Sequence, residues 1–415
     1  MKVLWIVALP LPSVAHLVGE QKAVFGGWVS SMIAQLSTIS DIELGVAMRS
    51  PISERIVKRV GGIQYYFFPQ DSKDKFDAQD EDVRWILNDF SPDLLHVEGA
   101  EFAYAKKFLK YWPGVNIVSM QGILNGYEPY ELGELPICKM LSSLHPIKMI
   151  IAAALLVSKI YFFNSRLKVE EETIGLAQNI LGRTKWDRAH SYAINHFAPY
   201  FSCNRILRNI FYQKLWSVDG MQRHTFFIGN AASPKKGAHI ALYALALLKR
   251  EYPNVKMYVA GISPALTSQF ELKKKISYSA YLRYLIKVLD IVDNIEFLGV
   301  LQEDEMADIL SKVNVYVLSS IIENSPNTLG EAMIMGVPSV SAYVGGAPDM
   351  AKDGEEALFY RANDPKLLAY QVKRIFDDDG LAIKLSKSGR IRAIDTHDPK
   401  KNLEKLLVAY RAILD

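Results

Sequence analysis

Short unbroken apolar runs alternate along the chain with longer stretches in which apolar residues recur every three or four positions. Val3–Val7 is a run of the first kind, and Ile42–Ala47, Ile63–Phe68, Leu94–Val97 and Val115–Ser119 are mostly apolar stretches of strand length broken by Glu43, Gln64, His96 and Asn116. Such runs suit strands buried on both faces of a parallel sheet. Trp28–Leu36, Asp80–Phe90 and Ala100–Trp112 carry the helical period between them. Strand and helix alternating in this way predict a parallel sheet wrapped by helices. Periodicity lapses around Trp216–His224 and restarts with strand Thr225–Ile228, helix Ala238–Leu248, strands Val255–Gly261, Ile295–Val300 and Val315–Leu318, and helix Leu367–Phe376. The expected organisation is one Rossmann-like domain over 1–218, a second over 224–398, and a terminal segment 399–415 holding the helix Lys401–Leu414.

Composition narrows the class. A chain of 415 residues, 50% hydrophobic and 22% charged, has room for two or three cores. Lys plus Arg against Asp plus Glu is 24 to 22 over 1–223 and 24 to 23 over 224–415, too balanced for a nucleic-acid binder. Cys138 and Cys203 have no metal spacing and form no disulfide framework, which favours a reducing cytoplasm. Pro10 and Pro12 interrupt the first apolar run, so it reads as a core strand rather than a secretion signal.

The apolar stretch Met149–Val157, continued by Ile160–Phe163, falls short of the roughly 20 residues that cross a bilayer. Lys148, Lys159, Arg166 and Lys168 around it leave two readings, a helix resting on an anionic membrane surface or, preferred, an internal helix on the first sheet. Glu170-Glu171-Glu172 reads as a solvated helical face, and Asp377-Asp378-Asp379-Gly380 as a cap and turn rather than a metal site.

Chemistry concentrates in Val315–Ala347, which reads strand, loop, short helix, strand. Ser325 is a good N-cap with Pro326 in the first helical position, and Gly336 with Pro338 should stop the helix at Met335. Leu329, Ala332 and Met333 then form an apolar stripe, while Asn327, Thr328 and Glu331 share another face. A helix start beyond a strand's carboxyl end favours a phosphate. Glu323 in the loop and Glu331 on the helix would offer carboxylates to hydroxyls on either side of it, the layout of ribose, diphosphate and hexose in a nucleotide sugar. The plainer alternative is two solvated charges. Further candidates are Gly26-Gly27 at a strand-to-helix turn, His96 near Glu98, Gln121, and Arg183, which could bind a ligand or pair with Asp187.

The run Glu323-Asn324-Ser325-Pro326-Asn327-Thr328-Leu329-Gly330-Glu331, followed by Gly336-Val337-Pro338 and Gly345-Gly346-Ala347-Pro348, resembles the signature of glycosyltransferase family 4. The resemblance implies retaining enzymes of the GT-B fold: two Rossmann-like domains facing across a cleft, with a C-terminal helix crossing back to the first. It implies that Glu323 contacts the donor sugar and Glu331 the ribose, and that Gly299-Val300 hold the nucleobase through backbone groups. Asn324, Ser325, Asn327, Thr328, Leu329, Gly345 and Gly346 would complete the donor site, with Gly26 and Gly27 lining the cleft.

Lys236-Gly237 matches the family's diphosphate-clamping pair, which makes Lys236 with Glu323 the expected catalytic residues. Asn230 stands where members commonly have arginine, in a loop one residue longer, and Lys235 or Arg183 could compensate. Gln121 stands where many members have histidine, and an amide cannot take a proton. Gly182–Asp187 and Asn204–Tyr212 resemble segments of bacterial members that build surface polysaccharide. The implied partners are a nucleotide sugar and a glycan or lipid-linked glycan, with peripheral membrane contact at the inner face and neither cofactor nor metal. A nucleotide-sugar epimerase of the same fold and a non-catalytic sugar-binding relative remain as alternatives.

Overall fold

The computed structural model describes residues 1–8, 10–20, 27–70, 76–135, 146–261 and 278–415. Gly26 and Cys138 lie outside them. The chain forms two compact α/β units: Met1–Gly126 with Tyr161–Leu207 and His397–Asp415, and Tyr127–Ile160 with Arg208–Thr396. Both are Rossmann-like.

The first unit holds an eight-stranded sheet of β1 (Lys2–Val7), β2 (Glu43–Ser50), β3 (Ile56–Val60), β4 (Ile63–Pro69), β5 (Leu94–Glu98), β6 (Val115–Ser119), β7 (Ile180–Gly182) and β8 (Tyr200–Ser202). Their order is β3-β4-β2-β1-β5-β6-β7-β8, parallel except for the β3–β4 hairpin. Gly61 and Gly62 make its turn, both at positive φ as a tight primed turn requires. Central β1 shows why the apolar runs are continuous. Val3, Trp5 and Val7 join a core with helices Gly27–Leu36 and Pro399–Leu414, while Leu4 and Ile6 join the opposite core with helices Asp80–Phe90 and Ala103–Tyr111. Strand β3 escaped the sequence reading because four of its five residues are exposed.

One expectation fails in the helix Pro146–Leu176. Glu170 is buried rather than solvated, because its carboxylate accepts from the backbone N–H groups of Leu124 (2.7 Å) and Asn125 (2.8 Å) at the start of a short helix. Glu171 and Glu172 are exposed as expected. Within the 149–163 stretch Ile150 and Val157 point to solvent. Among the described residues no helix is long and apolar enough to cross a membrane.

The second unit carries β9 (Gln222–Ile228), β10 (Lys256–Ala260), β11 (Ile295–Gly299), β12 (Val313–Leu318), β13 (Ser339–Ala342) and β14 (Leu358–Tyr360), all parallel, in the order β11-β10-β9-β12-β13-β14. The order reverses between β9 and β12, where Val317 pairs with Ile228. The loops leaving these two strands therefore part to opposite faces and open a crevice at their carboxyl ends.

Candidate active site at the switch point of the second unit

Two loops meet in that crevice and are stitched together before any side chain is considered. Ile321 N–H donates to Lys235 O (2.7 Å), and Ser319 Oγ donates to Lys236 O (2.9 Å). Gly237 sits at φ +68°, and a Cβ there would lie 1.8 Å from Ser319 O, so only glycine permits the approach. The register fixed this way brings Lys236 Nζ to 2.5 Å from Glu323 Oε1, which also accepts from Ser320 Oγ at 2.8 Å. Glu323 is 9% exposed. Its backbone is gripped too: a Cβ on Gly345 would come within 1.9 Å of Glu323 O, and Gly346 N–H donates to that oxygen at 3.1 Å. Gly346 thus fixes Glu323, and its N–H is engaged rather than open to an anion.

The helix after the loop runs Asn327–Met335 and is closed by Gly336 at φ +81°. Its start differs from expectation. Pro326 has ψ 108°, an extended value, and is itself the cap, while Ser325 Oγ lies against Met350 Sδ at 3.8 Å. Thr328 Oγ1 pairs with the Tyr316 hydroxyl at 2.7 Å, and Leu329 is wholly buried. Every residue of Leu329–Met335 is buried, Glu331 included, which removes the plainer reading of Glu331 as a solvated charge.

Glu331 is accordingly 4% exposed, and Arg208 is what it meets: Nε at 3.0 Å and Nη2 at 2.8 Å from Oε1. Among the described residues its Oε2 is buried without a partner. Burial raises the carboxyl from 4.5 to about 7, and Arg208 only partly opposes it. A folded value above the unfolded one means stability present below about 4.5 and lost as pH rises through about 7. Glu331→Gln should remove this loss, so its denaturant midpoint, relative to the parent, should rise between pH 5 and pH 8; an equal difference at both would refute it.

At the edge of the crevice Asn230 Oδ1 accepts from Ala232 N–H (2.7 Å), a turn-forming role that places no cation there. Gly261 N–H donates to Gly299 O (2.7 Å) across the ends of β10 and β11, and neighbouring Val300 is exposed. Lys235, the expected substitute cation, pairs with Glu131 at 2.7 Å and lies over the Tyr127 ring. The Tyr127 hydroxyl accepts from Asn324 N–H at 3.1 Å. The sequence reading missed Arg208, Tyr127 and Glu131, since each finds its partner only through the fold, and Ser320, whose partner Glu323 lies three positions on.

In the first unit the candidates are mostly absorbed into structure. His96 is fully buried, bonded by Nδ1 to the Tyr410 hydroxyl at 2.5 Å, and burial lowers its pKa. Beside it Arg205 Nη1 lies 2.8 Å from Glu98 Oε1, a buried pair not singled out from sequence. Arg183 does not pair with Asp187 through its side chain. Nη2 donates to the carbonyls of Met120 (2.6 Å) and Gln121 (2.7 Å), and only the Arg183 N–H reaches Asp187. Asp187 instead completes a capping box with Thr184. Gln121 Nε2 lies 3.5 Å from Glu98 O, and Gly27 opens its helix.

Residues 216–392, which contain both glutamates and the lysine, match the family described as glycosyl transferases group 1. A putative colanic acid biosynthesis glycosyltransferase, WcaL of Salmonella typhimurium, is 30% identical over 144 residues, 33% of this chain and 32% of the relative. The N-acetyl-alpha-D-glucosaminyl L-malate synthase of Bacillus anthracis is 27% identical over 130 residues, 31% of this chain and 34% of that one. The chain thus spans about a third of the length of the curated relatives it matches. Similarity of fold extends further. Sucrose-phosphate synthase from Thermosynechococcus elongatus superimposes with TM-score 0.73 at 14% identity, covering 99% of this chain and 98% of the other. Anabaena Alr3699/HepE in complex with UDP-glucose gives TM-score 0.69 at 14% identity, covering 99% and 100%. The two Rossmann-like units are those of the GT-B fold class.

Proposed function

We propose that the chain is a retaining glycosyltransferase that moves a hexose-type sugar from a nucleotide-diphosphate donor to a hydroxyl of a glycan or lipid-linked glycan in bacterial surface-polysaccharide or glycolipid synthesis. The reading rests on the Lys236–Glu323 pair, seated at the switch point of the family-matching unit and held by loops that only glycine lets approach. Lys236 and the start of helix Asn327–Met335 oppose the charge of the diphosphate, Glu323 takes a sugar hydroxyl, and Glu331 Oε2 takes a ribose hydroxyl. Asn230, Gly299 and Val300 border the nucleoside end.

In the reaction the C1–O bond to the diphosphate breaks while the acceptor oxygen bonds to C1 on the same face. The acceptor proton passes to the departing phosphate oxygen, so no side-chain base is required at Gln121. Stabilising the leaving group lowers the barrier. No metal enters this reading, since an ammonium and backbone dipoles supply the positive potential. The enzyme would work in the cytoplasm at the inner membrane face, where lipid-linked acceptors are presented.

Nucleotide release measured across a panel of nucleoside-diphosphate sugars, with bacterial lipid extract as acceptor source, should show turnover with at least one donor and no loss on adding chelator. Silence with every donor, or strict dependence on manganese, overturns the proposal.

A further inference from the structure

The first unit contains a hollow of about 550 Å³ that the reaction above does not use. Ile180 and Tyr200, the first residues of β7 and β8, lie in its wall, so it opens at the amino-terminal edge of the sheet. Glu98 and Gly182 mark the opposite, carboxyl-terminal edge, where a Rossmann-like unit binds its reacting ligand.

Three observations define its chemistry. First, it displays aromatic rings on a fixed loop. Phe197 is 85% exposed and Tyr192 65%. The Asn195 amide donates to Ile174 O (2.8 Å) and Ala177 O (2.9 Å), and Ile180 N–H donates to Pro199 O (2.9 Å), which pins both ends of the loop. Rings held out in this way forgo burial in the core, and apolar surface so displayed commonly marks a binding site. Second, the rings are ordered as a wall. The His196 ring lies 3.9 Å from Phe197 and 6.2 Å from Tyr192, while the Arg188 guanidinium lies 5.3 Å over Tyr200. Third, Lys185 and Arg188 line the hollow, and among the described residues no aspartate or glutamate does. Its potential is therefore positive although the whole chain carries only +3.

We infer that this hollow is an accessory binding site for an acidic glycan, whose sugar rings stack on Phe197 and Tyr192 and whose carboxylate or phosphate faces Lys185 and Arg188. Its volume suits a few sugar residues. A concave cup fits such a ligand better than a flat lipid surface. Lying at the edge remote from the sheet's carboxyl ends, it would retain a polymer between rounds of transfer rather than take part in chemistry.

Calorimetric titration of the full chain with hyaluronan tetrasaccharide, maltotetraose, ADP and phosphatidylglycerol vesicles tests this. The acidic tetrasaccharide should bind at least about tenfold more tightly than the neutral one, ADP or the vesicles. Phe197→Ala and Arg188→Gln should each weaken it about fivefold or more, with melting temperature and nucleotide release unchanged. Equal binding of the neutral sugar, preference for vesicles or ADP, no binding of the tetrasaccharide, or affinity untouched in Phe197→Ala overturns the assignment. Binding and nucleotide release are separate readouts, so either proposal can fail without the other.

Discussion

Glu323→Gln and Lys236→Ala are each expected to lower kcat for nucleotide release by about 10²- to 10³-fold, the range seen when one preorganised electrostatic contact to a developing charge is removed. The double variant should cost little more than the worse single one. The two groups form one ion pair on a single carboxylate oxygen, with Ser320 Oγ on the same atom. Removing either partner dismantles the same arrangement: without Lys236 the carboxylate faces the diphosphate unneutralised, and without the charge on Glu323 the ammonium loses its anchor. Groups that act as a unit give non-additive losses. Steady-state kinetics of the three variants decide the point. Multiplicative losses would mean two independent roles, and unaltered turnover in Glu323→Gln would remove the pair from the mechanism.

How much of this was legible from sequence follows from where each residue finds its partner. The central strands announced themselves because residues such as Val3 to Val7 and Val315 to Leu318 are buried on both faces and so must all be apolar. The loop glycines were legible through a resemblance, and their physical reason appears only with Ser319 O and Glu323 O in place. Glu331 was placed with Asn327 and Thr328 on one helix face, where it was expected to meet a ligand hydroxyl, and no local pattern named its protein partner. Its burial depends on Arg208, 123 positions away. Glu170 was misread for the same reason, since the amides it caps lie 45 and 46 positions earlier. The helix start moved by one residue because a proline fits both the cap and the first turn, and only its ψ decides.

Arg205→Met should destabilise the first unit by about 3–5 kcal/mol at neutral pH, the usual cost of leaving one member of a buried ion pair alone. Glu98 is 3% exposed, and the side chain of its partner Arg205 is 11% exposed. Burial alone would raise the Glu98 carboxyl, but Arg205, His96 and Ser119 outweigh it and hold it at about 2, below the ordinary 4.5. In the parent, then, this group's contribution is present above about 4.5 and is lost as pH falls towards 2. Without the guanidinium the sign should reverse, because the largest influence opposing burial is gone. The contribution is then present at low pH and lost as pH rises, so the deficit of Arg205→Met against the parent should shrink between pH 7.5 and pH 4. His96 Nε2, 3.6 Å from Glu98 Oε2, can take up a proton and recover part of it. Adding Glu98→Gln should restore much of the loss at pH 7.5, since an amide needs no counter-ion. Denaturant unfolding followed by circular dichroism at the two pH values separates the cases. A deficit of equal size at both, unrelieved by Glu98→Gln, would show that Arg205 acts through packing on the Trp28 ring, over which its guanidinium lies at 4.9 Å, and not through charge.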